Sequence, residues 1–200
     1  LIGLVPPELT EYLLIALVVL VLAGEINAAE ETDFSTVLPR IGGSLLTIVY
    51  PAFFSIYVVR LTGLDHAAIR LFAFLILVFL NDTAAYIFGS LFGRKSRKIF
   101  RVSPNKSLVG FTSGLLVCIL TAWILDLFFP QLFGSVATAL IAGFVIGVTG
   151  IVGDLAESAL KRSAVIKDSG DIIPGRGGIL DSIDSIIFAA PFYYLILLYL

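Results

Sequence analysis

Residues 108–129 read LVGFTSGLLVCILTAWILDLFF, with no charge before Asp126, and residues 71–80 read LFAFLILVFL. A helix needs about 20 mostly apolar residues to cross the hydrocarbon core of a bilayer. Working outward from these two stretches, six segments meet or approach that length: 11–29, 42–62, 67–92, 108–129, 133–160 and 179–200. Alternation of period two is absent, which argues against a transmembrane barrel. The composition agrees, at 58% hydrophobic and 14% charged residues, with a mean hydropathy of +1.04. A soluble domain carries about 25% charged residues, so this chain cannot cover a water-facing surface. A soluble enzyme and a disordered chain are excluded, and so is a disulfide scaffold, because Cys118 is the single cysteine. A formal net charge of −2 leaves no basic footprint for nucleic acid. The expected fold is all-α: a polytopic integral membrane protein with about six transmembrane helices.

Prolines punctuate the spans. Pro6-Pro7 and Pro130 lie at span edges, and Pro174 lies in a polar loop. Pro51 falls inside the second span and is expected to kink it, because it lacks an amide hydrogen. Neither an internal repeat nor a low-complexity tract is visible. The sequence holds no methionine and begins at Leu1, which reads as a fragment, or as a chain from which methionines were lost. Leu1 to Thr10 has no basic n-region, so no signal peptide is expected. Three regions follow: an N-terminal transmembrane region over 1–66, a middle helix and basic loop over 67–107, and a C-terminal region over 108–200 that carries most of the polar chemistry.

Lys and Arg set the orientation. Arg94, Lys95, Arg97, Lys98, Arg101 and Lys106 crowd one loop, and Lys161, Arg162, Lys167 and Arg176 crowd another. Two spans separate the loops, so both lie on one face, expected to be cytoplasmic. Arg60, on the other side, counts mildly against this. The first basic loop is open to two readings, a topology signal attracted to anionic lipid or a phosphate-binding segment. Glu25, Glu30, Glu31 and Asp33 read as a solvated inner loop, His66 as a surface residue, and Cys118 and Trp123 as lipid-facing or packed within the fourth span.

Ionisable side chains within a span are costly unless paired or hydrated, and mark function by default. Asp82 sits deep in the third span. In the fifth, Asp154, Ser158, Lys161 and Arg162 recur at helical spacing and share a face, while Glu157 and Lys161, four apart, can pair. An internal ion-pair network is the bland alternative. The following loop is denser: Lys167-Asp168-Ser169-Gly170-Asp171, then Pro174-Gly175-Arg176-Gly177-Gly178, then Asp181 and Asp184 at the start of the last span. Gly175, Gly177 and Gly178 let backbone amides approach a phosphate, next to a helix N-terminus that favours anions. Asp181 and Asp184 could instead simply cap the helix dipole. Carboxylates beside a glycine-rich cradle and several cations suit Mg²⁺ bound to a polyphosphate, since Mg²⁺ takes oxygen ligands from one or two carboxylates plus substrate phosphates.

The run from Ser158 to Asp184 resembles the signature of the phosphatidate cytidylyltransferases, also called CDP-diacylglycerol synthases. That pattern is a Ser, then Lys-Arg, Lys-Asp, Pro-Gly-His-Gly-Gly, and Asp-Arg-hydrophobic-Asp. Ser158, Lys161-Arg162, Lys167-Asp168, Pro174-Gly175, Gly177-Gly178, Asp181 and Asp184 match it at intact spacing. Asn81-Asp82-Thr83 and Ser103-Pro104-Asn105-Lys106-Ser107 look like the family's upstream motifs, so the resemblance spans about residues 80–200. Three positions depart: Arg176 replaces the family's His, Ser182 its Arg, and Val109 stands where Glu often precedes Gly110.

The resemblance implies transfer of a cytidylyl group from CTP to phosphatidate, releasing pyrophosphate and forming CDP-diacylglycerol. It assigns Mg²⁺ to Asp154 and Asp181, with Asp184 as a third ligand or an outer partner and room for a second cation. Lys161, Arg162 and Lys167 would hold phosphates, Ser158 would bond a phosphate or the hydrated metal, and Asp168 would orient Lys167. Asp82, Lys106, Gly175, Arg176, Gly177 and Gly178 would contact substrate, with Arg176 compensating for Ser182. It further implies a funnel open to the cytoplasmic face of the inner membrane and sideways to lipid, and it is compatible with a homodimer. Three other readings stay open: an ion-coupled transporter, an inactive member, and a member acting on ether lipids. A CDP-alcohol phosphotransferase is disfavoured, since its Asp-Gly-x-x-Ala-Arg run is absent.

Overall fold

The computed structural model describes residues 7–28, 35–93, 96, 102–104, 106–166, 168–172 and 177–200. Six helices follow in order: α1 (Pro7–Ala28), α2 (Val37–Leu61), α3 (Ala67–Phe92), α4 (Leu108–Phe128), α5 (Val136–Ser163) and α6 (Ile179–Tyr199). No strand occurs among the described residues. Five of the six, α2 to α6, are long and apolar enough to cross a bilayer. α1 has 22 residues, among which Tyr12–Ile26 form an apolar stretch.

Serines fix where two helices begin. Ser107 Oγ accepts the Gly110 amide at 3.1 Å, and Ser135 Oγ accepts the Thr138 amide at 3.1 Å. Each satisfies a donor that a helix start leaves free. Ser135 therefore starts the fifth helix three residues later than hydropathy alone indicates. That helix also continues to Ser163, through the charged residues where the apolar run ends. α2 runs on as one helix past Pro51, and α6 past Pro191, which is buried.

α3 and α4 pack antiparallel. Leu77 faces Cys118, Asn81 faces Gly114 and Ala85 faces Gly110, with numbers running in opposite directions. Glycines permit the close approach: a Cβ on Gly110 would lie 2.7 Å from the Ala85 carbonyl oxygen, and one on Gly114 2.8 Å from that of Asn81. With no hydrophobic force separating helix from lipid, such small-residue seams drive association in a bilayer. α5 lies against α4 and α6, α2 packs on α6, and α1 packs on α2. Tyr50 and Phe54 of α2 meet Phe188 of α6, with ring centroids 5.8 and 5.5 Å apart. The core gathers Phe74, Leu77, Ile146 and Tyr193, and Tyr193 stacks on Phe74 at 5.0 Å. Cys118 is fully buried here, so it packs inside the bundle rather than facing lipid, whereas Trp123 is exposed. Glu25 is not a loop residue: on α1 it meets Arg40 at 2.9 Å and accepts from Ser44 at 3.0 Å, joining α1 to α2. Glu30, Glu31 and Asp33 lie outside the described residues.

Candidate active site

At the end of the bundle where α3 and α5 finish and α4 and α6 begin, a cavity of about 620 Å³ opens. α3 supplies Asp82, Tyr86 and Ser90; the approach to α4 supplies Ser103, Lys106 and Ser107. α5 supplies Asp154, Glu157 and Lys161, and α6 supplies Asp181, Ser182, Asp184 and Ser185. Lys106, before α4, and Lys161, near the end of α5, thus lie at one end of the bundle, as the two intervening spans require.

Two lysines tie the walls together. Lys106 pairs with Asp154, linking the approach to α4 with α5. Lys161 pairs with Glu157 at 2.7 Å and also with Asp181, linking α5 to α6. The Glu157–Lys161 pair is the one their four-residue spacing predicts. Asp181 Oδ2 accepts three further bonds, from the Gly178 amide at 2.7 Å and from the Ser169 amide and hydroxyl at 2.8 and 2.6 Å. Asp181 therefore caps α6 and holds the preceding loop against it, the capping alternative that its position left open. The Gly178 amide is thereby engaged. Gly177 adopts a left-handed φ of +95° that suits glycine. Asp184 is buried and accepts the Ser185 amide at 2.7 Å.

Of the residues picked out in the sequence, Asp82, Lys106, Asp154, Lys161, Asp181 and Asp184 come together in this cavity. Ser158 and Arg162 do not line it. Arg162 is exposed and donates to the Ile166 carbonyl at 3.3 Å, closing the end of α5. Asp168 is exposed beside Gly177. Lys167, Gly175 and Arg176 lie outside the described residues. Glu157 was picked out only as a partner for Lys161, yet it lines the cavity with 1% of its surface exposed. Asn81 is fully buried, and its amide donates to the Gly147 carbonyl at 3.3 Å, joining α3 to α5 beside Asp82.

Among the described residues, carboxylates from Asp82, Asp154, Glu157, Asp181 and Asp184 line the cavity with Lys106 and Lys161, while Arg94, Lys95, Arg97, Lys98, Arg101, Lys167 and Arg176 lie outside the described residues. Glu157 Oε1 and Ser182 Oγ are buried without a hydrogen-bond partner. An oxygen-only donor set with an orphaned buried carboxylate oxygen fits a hard divalent cation. As the side chains stand, the lysines sit among the acids, and no three acidic, His or Cys groups converge into a metal-holding cluster among the described residues.

Long apolar helices closed over a charged cavity at one end define an integral membrane protein with a polar site near one membrane surface. The cytidylyltransferase family model matches residues 3–200, and the chain belongs to that family. It is 41% identical over 157 residues to a phosphatidate cytidylyltransferase of Staphylococcus haemolyticus, covering 77% of this chain and 58% of that protein. It is 36% identical over 160 residues to the phosphatidate cytidylyltransferase of Bacillus subtilis, covering 79% and 58%. It is also 39% identical over 136 residues to the uncharacterized protein YnbB of Escherichia coli, covering 68% and 45%. The chain thus spans between 45% and 58% of the length of these relatives.

Proposed function

We propose that this protein transfers a cytidylyl group from CTP to phosphatidate, forming CDP-diacylglycerol and pyrophosphate. The observation that carries the reading is the cavity itself. It gathers Asp82, Lys106, Asp154, Lys161, Asp181 and Asp184 from four separate segments at one end of a membrane bundle. The reaction needs such a place, where a water-soluble nucleotide meets a lipid head group.

A phosphate oxygen of the lipid attacks the α-phosphorus of CTP, and the bond to pyrophosphate breaks. That phosphate is already ionised near neutral pH, so no general base is required. Positioning and charge neutralisation then dominate catalysis. Lys106 and Lys161 are placed to bind phosphate oxygens once released from their carboxylates. Ser182 and Ser185 offer hydroxyls on the same wall, and the Asp181 clasp keeps the glycine-bearing loop against α6. Both substrates are polyanions, and the carboxylates of Asp82, Asp154, Glu157, Asp181 and Asp184 along the cavity would repel them unless cations accompany them. Asp154 and Asp181, with Asp184 beside them, are the groups that would hold Mg²⁺. When bound, the ion supplies neutralisation of the nucleotide phosphates and of charge developing on the leaving pyrophosphate.

The test is an assay of purified protein in detergent with labelled CTP and phosphatidate. CDP-diacylglycerol should form with Mg²⁺ and not after chelation. Uptake of an ion or solute into proteoliposomes, with no lipid nucleotide formed, would replace this reading by the transporter.

A further inference from the structure

The end of α5 is built in a way that the cavity does not explain. The Val165 amide donates to the Arg162 carbonyl at 3.1 Å, and the Ile166 amide to the Lys161 carbonyl at 3.0 Å. This pair of bonds is a Schellman motif, which needs a left-handed residue where Val165 stands and usually has glycine there. Val165 has φ +58°, a region in which a β-branched residue is an outlier. Its side chain is also 92% exposed. A glycine would relieve the backbone and remove the exposed apolar surface together, yet the chain keeps a branched hydrocarbon there. Ile172, in the same connection, is 72% exposed, and Ile166 is 47% exposed.

The level of these residues in the bilayer follows from their neighbours. Lys161 pairs with Asp181 in the first turn of α6. α5 has 28 residues between two ends inside the chain, and at about 1.5 Å per residue it is about as long as the whole bilayer of about 40–45 Å. Its last turn, and Lys161 with it, therefore reaches the polar layer of about 5–7 Å that each leaflet adds. Val165 lies just beyond that turn, within this layer. Ile179, the first residue of α6, is exposed near this level. Arg162, exposed beside Val165, matches the negative charge of lipid phosphates.

We propose that Val165, Ile166 and Ile172 form an interfacial anchor. Their side chains insert at the boundary between head groups and acyl chains of the leaflet on the cavity side, with Arg162 against lipid phosphate. Apolar groups beside a cation are the usual composition of segments that lie in this layer. The anchor would hold the connection between α5 and α6 flat on the membrane. Its occupant is the bilayer surface rather than another protein, and the inference does not depend on the proposed reaction.

The test places a single environment-sensitive fluorophore on Val165→Cys, Ile172→Cys or Asp171→Cys, each in a Cys118→Ser background. The labelled proteins are reconstituted into vesicles of mixed neutral and anionic phospholipid. At 165 and 172, emission should shift to the blue and be quenched by lipids spin-labelled near the head group, with iodide quenching several-fold weaker than at 171. Asp171, one residue from Ile172 but charged and exposed, should behave oppositely. Iodide quenching at 165 and 172 equal to that at 171 overturns the proposal. So does shielding that disappears when the protein is diluted into excess lipid, which would assign the surface to a second copy of the chain. Val165→Gly serves as the folding control and should melt no lower than the parent.

Discussion

Asp154 and Asp181 are both acids held by lysines, yet their surroundings separate what each does. Asp154 meets Lys106 at a side chain 37% exposed, whereas the Asp181 side chain is 6% exposed and accepts from Lys161, Ser169 and Gly178. Asp154→Asn and Asp181→Asn should each lower CTP-dependent turnover by orders of magnitude, because a lost divalent charge is worth several kcal/mol at the transition state. Thermal melting should then divide them. Asp154→Asn should melt near the parent temperature, and Asp181→Asn lower, since capping bonds contribute about 0.5–2 kcal/mol. Near-normal turnover in either folded variant would sink the metal assignment. Ser182 offers a second probe. It stands where the signature it resembles has Arg, between Asp181 and Asp184 on the cavity wall, so Ser182→Arg should raise kcat/KM for CTP several-fold; a fall would show that the serine is tuned to this cavity. Most of these acids were legible from sequence because an acid inside a span demands a reason. Side was less legible. At about 100° per residue, Glu157 and Lys161 fall to one side of Asp154 on the helix, and Ser158 and Arg162 to the other. Helical spacing grouped all of them, but the cavity takes the first pair and leaves Arg162 to close the helix end.

Glycine seams set how the elements carry these side chains. Gly110 stands four residues beyond Lys106, and α3 carries Asp82 one turn from Ala85, so the α3–α4 contact sets the distance between two cavity residues. A Cβ at Gly110 would meet a backbone carbonyl, which cannot rotate away. Gly110→Ala should therefore destabilise by about 1–3 kcal/mol, the usual range for overpacking, and lower turnover as well. Gly42 in α2 has nothing within 4 Å of the same added atom. Gly42→Ala should be neutral or stabilising by up to about 1 kcal/mol through helix propensity. Melting of the two variants in one detergent checks both; equal effects would mean that the seam does not position α3. Apolar length made the helices legible in the sequence, while the choice of which glycines face a neighbour depends on tertiary pairing that hydropathy does not encode.

At the scale of the whole molecule, Lys106, Lys161 and the cavity occupy one end of the bundle, and the turns at 62–66 and 129–135 occupy the other. On the proposed reading, the end rich in Lys and Arg faces the cytoplasm, the compartment that would supply CTP. Cysteine accessibility tests the assignment directly. Cys118 is buried, with its thiol toward the Leu77 carbonyl at 3.6 Å, so Cys118→Ser gives a silent background. Ser103→Cys and Asp168→Cys should resist an impermeant thiol reagent applied to intact cells and react in inverted vesicles. Asp65→Cys, in the exposed turn between α2 and α3, should show the reverse. Labelling of 103 and 168 from outside, with 65 protected, would invert the orientation and argue against the proposed reaction. Opposite accessibility of 103 and 168 would contradict the shared cavity itself, since Ser103 lines it and Asp168 adjoins the loop that Asp181 clasps.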